Sequence, residues 1–116
     1  TFVEKLQTVS TKYRLQKTGE AFPVNFMRHY YDIYCLLTLP EVQAFIGTPA
    51  YEIRKQQRFR KGDELIAAKN PAFLLEDLEE RERFSREYQK TSALYYQGQP
   101  DLTDILIRIQ QFIDTM

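Results

Sequence analysis

The stretch "FMRHYYDIYCLL", residues 26–37, sets Arg28, His29 and Asp32 into an otherwise apolar and aromatic run. At helical spacing Arg28 and Asp32 share one face, and His29 shares a face with Ile33. Lys5 raises the same question. It lies beside Phe2 and Leu6, close to the apolar stripe of its own segment, where an ammonium needs either a partner or a task. From these residues alone two readings stay open. One is a partly buried structural ion pair between Arg28 and Asp32, and the other is a functional site.

Other chemistries are excluded or weak. The single cysteine, Cys35, and the single histidine, His29, cannot supply a His/Cys metal cluster or an internal disulfide. The four glycines are isolated at 19, 47, 62 and 98, so there is no Gly-rich phosphate loop. Charge is zero overall but uneven. Residues 1–61 carry ten Lys/Arg against five Asp/Glu, and residues 62–116 carry six against eleven. Much of the positive half is "RKQQRFRK", residues 54–61. Such a run can attract phosphate by counterion release, or can simply be a solvated helix face. "DLEERER", residues 77–83, reads as surface ion pairs.

The elements that must position these residues are helical throughout. Phe2, Leu6, Val9 and Tyr13 recur at three- and four-residue steps, and that helix should fade near "KTGE". A second helix is predicted over roughly 25–38, with Phe26, Tyr30, Ile33, Tyr34 and Leu37 as its apolar stripe. Pro40 starts a short third helix ended by Gly47. Thr48 caps a fourth, with Pro49 at its first position and Gly62 as its stop. Residues 63–70 continue the helical composition, and Pro71 opens a charged segment running to about Tyr96. After the "GQPD" break, Asp101 caps a last helix with Leu102, Ile105, Leu106, Ile109, Phe112, Ile113 and Met116 on one stripe. No strand alternation is sustained. The expectation is one all-α domain over residues 1–116, a bundle of about five to seven helices. With no membrane-length apolar run and no signal peptide, the expected location is the cytoplasm. Thr1 in place of Met suggests a chain trimmed or cut from something longer.

Two segments carry a resemblance. "TFVEKLQ", residues 1–7, followed by "RHYYDIYCLL", residues 28–37, resembles the nucleotidyltransferase toxins of the AbiEii/AbiGii type. There a Thr-Phe-x-Glu-Lys segment opens a helix just after the catalytic sheet, and a helix with Arg and then Asp four residues later follows. "ALYYQGQPDLTDILIRIQQFID", residues 93–114, resembles the closing helix pair of the same family. By position the resemblance implies that Lys5 is a catalytic lysine contacting the nucleoside triphosphate. It makes Asp32 a catalytic aspartate near the reacting centre, with Arg28 beside it as a substrate-binding residue.

Such chemistry asks mostly for positioning and charge neutralisation, which a Lys and a carboxylate can provide. The implied activity is transfer of a nucleoside monophosphate from an NTP to an acceptor such as transfer RNA, in a toxin–antitoxin pair that gives the antitoxin as a partner. The family's metal-binding carboxylates and Gly-Ser loop lie upstream and have no counterpart in this chain. Mg2+ is therefore expected for the full-length enzyme only, with none held here. The implied picture is the C-terminal helical part of a two-part nucleotidyltransferase, inactive alone. The alternative is a free-standing helical module that binds protein or RNA without catalysis.

Overall fold

The computed structural model describes residues 2–17, 26–90 and 100–116. These form seven α-helices and one 3-10 turn, with no strand among the described residues. The helices are α1 (Phe2–Lys17), α2 (Phe26–Leu36), α3 (Pro40–Phe45), α4 (Pro49–Arg58), α5 (Pro71–Leu74), α6 (Leu78–Gln89) and α7 (Leu102–Phe112), with the 3-10 turn at Ala67–Lys69 between α4 and α5. The protein is all-α. No helix of the described residues is long and apolar enough to cross a membrane. The expected stop around Gly19 and the continuation from Lys90 toward Tyr96 lie outside the described residues.

Local signals start most of these helices. Proline stands at the first position of α3, α4 and α5, where its missing N–H goes unmissed and its fixed φ suits the helix. The Thr48 hydroxyl accepts from the Tyr51 amide, Asn70 from the Ala72 amide, and Asp77 from the amides of Glu79 and Glu80, so three helix starts have side-chain caps. Asp101 occupies the cap position of α7 without a side-chain bond.

Two expected boundaries move. α4 stops at Arg58 and not at Gly62, because Phe59 turns into extended backbone. Residues 63–70 are not a helix apart from the short 3-10 turn, and the segment is instead tied to α1. Asp63 accepts from Thr11 Oγ1 at 2.6 Å and from Arg14 Nε at 2.9 Å, and Asn70 donates to Ser10 Oγ at 3.0 Å.

The core joins the apolar stripes of the longer helices. Phe2, Leu6, Val9 and Tyr13 of α1 are buried against Phe26, Tyr30, Ile33 and Leu37 from α2 and the turn after it. Leu102, Ile105, Leu106 and Ile109 of α7 close another side, with Phe112 and Ile113 packed at the edge. Phe84 of α6 sits at the junction. Its ring meets those of Tyr13, Phe26 and Tyr30 edge-on, with centroids 5.9–6.3 Å apart. Tyr30 buries its hydroxyl and donates it to the Ala72 carbonyl at 2.7 Å.

These contacts fix how α1 and α2 run. Tyr13, late in α1, and Phe26, at the start of α2, meet on the same ring, whereas Lys5, early in α1, reaches Asp32 past the middle of α2. The two helices are antiparallel neighbours, and their exposed edge carries the candidate site.

Candidate functional site

Lys5 projects from the rim of the α1 core stripe toward α2. Its Nζ donates to Asp32 Oδ2 at 2.9 Å and lies 3.5 Å from His29 Nδ1. The Lys5 and Asp32 side chains are 31% and 26% exposed, so the pair sits at the edge of the core with one side open to water. An ammonium has three donors. With Asp32 and His29 on one side, its remaining capacity faces solvent, where an anionic oxygen could take it.

Arg28 does not join Asp32. It is exposed, and it has no ion pair among the described residues. The intrahelical Arg28–Asp32 bridge that the i, i+4 spacing allowed is replaced by a bridge between helices. Lys5 and Asp32 are brought together, and Arg28 stands one turn away on the same helix as Asp32.

His29 is the site residue that the sequence reading left out. The i, i+3 spacing of His29 and Asp32 puts both on the edge of α2 that faces Lys5, but the pattern had paired His29 with Ile33. Burial pushes the His29 pKa below its usual value. Lys5, Lys12 and Arg28 push it the same way, and Asp32 alone opposes them. These influences favour the neutral ring beside Lys5.

The basic run at 54–61 is not one solvated face. Arg54 and Arg58 turn toward Glu4 at 2.8 and 3.8 Å, tying α4 to α1. Lys55 turns inward. Its ammonium lies 5.6 Å from the ring centroids of both Tyr51 and Phe59 and donates to the Met116 carbonyl oxygen. Burial pushes the Lys55 ammonium pKa down, against Glu52 and Glu64. Only Arg60 and Lys61 behave as the plain exposed cations of the sequence reading.

"DLEERER" is also less superficial than its pattern. Glu80 accepts the Tyr13 hydroxyl at 2.6 Å and Lys17 at 3.3 Å, and Arg81 donates to the carbonyls of Leu74 and Leu75. Burial and the Glu80 carboxylate together push the Tyr13 phenol up to about 12. A surface ion pair does form between Glu82 of this run and Arg86 beyond it, at 3.5 Å.

A cleft of about 240 Å³ opens beside α1, lined by Ser10, Tyr13, Arg14 and Lys17 and by residues 62–64, 70 and 71. It includes neither Lys5 nor Asp32. Its two cations are already engaged, Arg14 by Asp63 and Lys17 by Glu80. The described residues do not fit a Mg2+ site. Among the described residues no three His, Cys, Asp or Glu side chains converge, and the Asp32 carboxylate already faces an ammonium.

The family model described as nucleotidyl transferase AbiEii toxin, type IV TA system, matches residues 1–114. No curated protein and no solved structure matches the chain. The matched span covers nearly the whole sequence, including α1 and α2, and the chain belongs to this family.

Proposed function

From membership in the AbiEii nucleotidyl transferase toxin family, we propose that this chain is the helical part of an enzyme that transfers a nucleoside monophosphate from an NTP to an acceptor such as transfer RNA. The observation that supports this reading is the Lys5–Asp32 contact at the open edge between α1 and α2. It joins the two segments that carry the family resemblance. In such a transfer an acceptor hydroxyl oxygen gives its proton to solvent and bonds to the α-phosphorus, and the bond from that phosphorus to the bridging oxygen breaks, its electron pair leaving with pyrophosphate. Lys5 meets the triphosphate oxygens and offsets their charge. Asp32, close to the reacting centre, holds the Lys5 ammonium in place so that little reorganisation is left for the reaction itself. Arg28, exposed on the same helix, is within a turn of that edge and suits a phosphate of the NTP or of the acceptor.

In this reading residues 1–116 fold as one helical domain and form one wall of the nucleotide site. The Mg2+ ligands belong to a catalytic sheet outside these residues. An antitoxin is the partner expected of a toxin–antitoxin protein, and the nucleotide and RNA substrates place the reaction in the cytoplasm. The test is a transfer assay on the product of the complete reading frame, with each labelled NTP, Mg2+ and bulk transfer RNA. Label appearing in RNA supports the reading. Failure with all four NTPs and every RNA fraction removes it.

A further inference from the structure

We propose that His29 is a positioning residue for Lys5: as a neutral imidazole with its proton on Nε2, it accepts at Nδ1 while Asp32 accepts from the same ammonium. The contact to Asp32, at 2.9 Å, is the stronger of the two, and the contact to His29, at 3.5 Å, is the weaker. Their geometry matters more than their strength. A Lys amine sits on a flexible four-carbon stem, and one acceptor leaves it free to swing about that acceptor. Two acceptors, one turn apart on α2, restrict it to the line between them and leave the outward donor aimed at solvent.

The neutral form is a requirement. Nδ1 can accept only when the ring is unprotonated and its one hydrogen is on Nε2. The charged groups facing the ring are Lys5 and Lys12 from α1 and Arg28 and Asp32 from α2. Three cations against one carboxylate, on a half-buried ring, favour the neutral state. Protonation would place a hydrogen on Nδ1 opposite the ammonium, turn the acceptor into a second cation, and divide Asp32 between two positive charges. The folded pKa lies below the unfolded one, so the contact contributes its stability above the unfolded value near 6.5 and loses it as pH falls through the folded value. Mild acid therefore loosens Lys5.

His29 is the only histidine in the chain, so its ring signals in a nuclear magnetic resonance spectrum need no assignment strategy. The experiment is a ring nitrogen and proton titration of the 116-residue protein and of Lys5→Met and Lys12→Met. The expected result is the Nε2–H tautomer, a midpoint below that of a free imidazole, and a clear rise of the midpoint in Lys5→Met with a smaller rise in Lys12→Met. A ring protonated on Nδ1, or a midpoint that Lys5→Met leaves in place, overturns the proposal, because burial alone would then account for the shift.

The consequence for transfer rests on the function proposed above and is read separately, in the complete enzyme. His29→Leu should slow transfer by on the order of tenfold to a hundredfold. His29→Asn puts a carbonyl oxygen near the Nδ1 position without a titrating proton. It should recover most of that rate and remove the acid limb of the pH profile that His29 imposes. Equal loss in both variants overturns the positioning role. An inactive wild-type enzyme would count against the function and leave the titration to decide the contact.

Discussion

Lys5 and Asp32 are 27 residues apart in the chain and 2.9 Å apart in space, joined across the α1–α2 edge with each side chain about a quarter to a third exposed. That exposure divides two effects. An ion pair so open to solvent is screened and adds little to folding, roughly 0.2–1 kcal/mol. A charge aimed at a phosphate in a transition state is a different quantity, since its loss appears in rate. In the complete enzyme, Lys5→Ala and Asp32→Ala should each reduce transfer by two orders of magnitude or more, on the order of the loss of one oriented donor, while the melting temperature moves by only a few degrees. Turnover measured beside a melting curve for each variant checks this. Near-wild-type turnover in both would remove Lys5 and Asp32 from the machinery.

The 116-residue protein by itself should give no labelled product with labelled NTPs, Mg2+ and transfer RNA. The described residues bring no set of carboxylates together that could hold the metal a two-metal transfer needs. In the function proposed above, Lys5 and Asp32 supply charge and orientation but no group to organise the leaving pyrophosphate. Clear labelling of RNA by the isolated chain, retained after repeated purification, would place the chemistry elsewhere in this fold.

Sequence pattern reached the helices whose stripes are local. Phe2, Leu6, Val9 and Tyr13 mark α1, Thr48 and Pro49 start α4, and Leu102 to Ile109 mark α7, because each signal is complete within a few turns. It did not reach the end of α4 or residues 59–70. Their conformation is set by Asp63 and Asn70 reaching Arg14, Thr11 and Ser10, about fifty to sixty residues away in sequence. The acidic–basic run at 77–83 misled for the same reason, since Glu80 finds Tyr13 and Arg81 finds two carbonyls that no periodicity reveals. At the site, the residue types were legible, and the resemblance already set Lys5 and Asp32 at one nucleotide site; helical spacing alone named the wrong partner for Asp32. Arg28 and Asp32 satisfied the helical spacing rule, yet Asp32 went to Lys5, a contact that only the packing of α1 on α2 creates.

Asn70 should be the most sensitive polar position outside the site. It is 3% exposed and makes three bonds of 3.0 Å: to Ser10 Oγ, to the Glu64 carbonyl, and from the Ala72 amide that starts α5. Asn70→Ala removes a cap and leaves buried partners without theirs, at a cost of about 2–3 kcal/mol. Asn70→Asp keeps the acceptor for Ala72 but loses the amide donor, so it should recover only part of that loss. Urea unfolding of the three proteins orders them. If Asn70→Ala costs less than half a kilocalorie, a number below the usual range for a cap, the 64–72 segment is not held to α1 through this side chain.

Gly62 tests the same attachment from the backbone. Its φ of +97° lies where a side chain is rarely tolerated, and an added Cβ would stand 3.3 Å from the Arg14 guanidinium carbon. Gly62→Ala therefore meets two costs. The backbone cost is about 1–2 kcal/mol for an L residue at positive φ. The steric cost is smaller, because Arg14 ends in a flexible side chain, but moving it disturbs the 2.9 Å contact with Asp63. The Arg14→Ala background separates the two. There the steric cost disappears and the backbone cost stays, so Gly62→Ala should still destabilise the Arg14→Ala protein by about 1–2 kcal/mol, the penalty of the backbone alone. If the penalty disappears in that background, the crowding of Arg14 and not the turn itself makes glycine necessary at position 62.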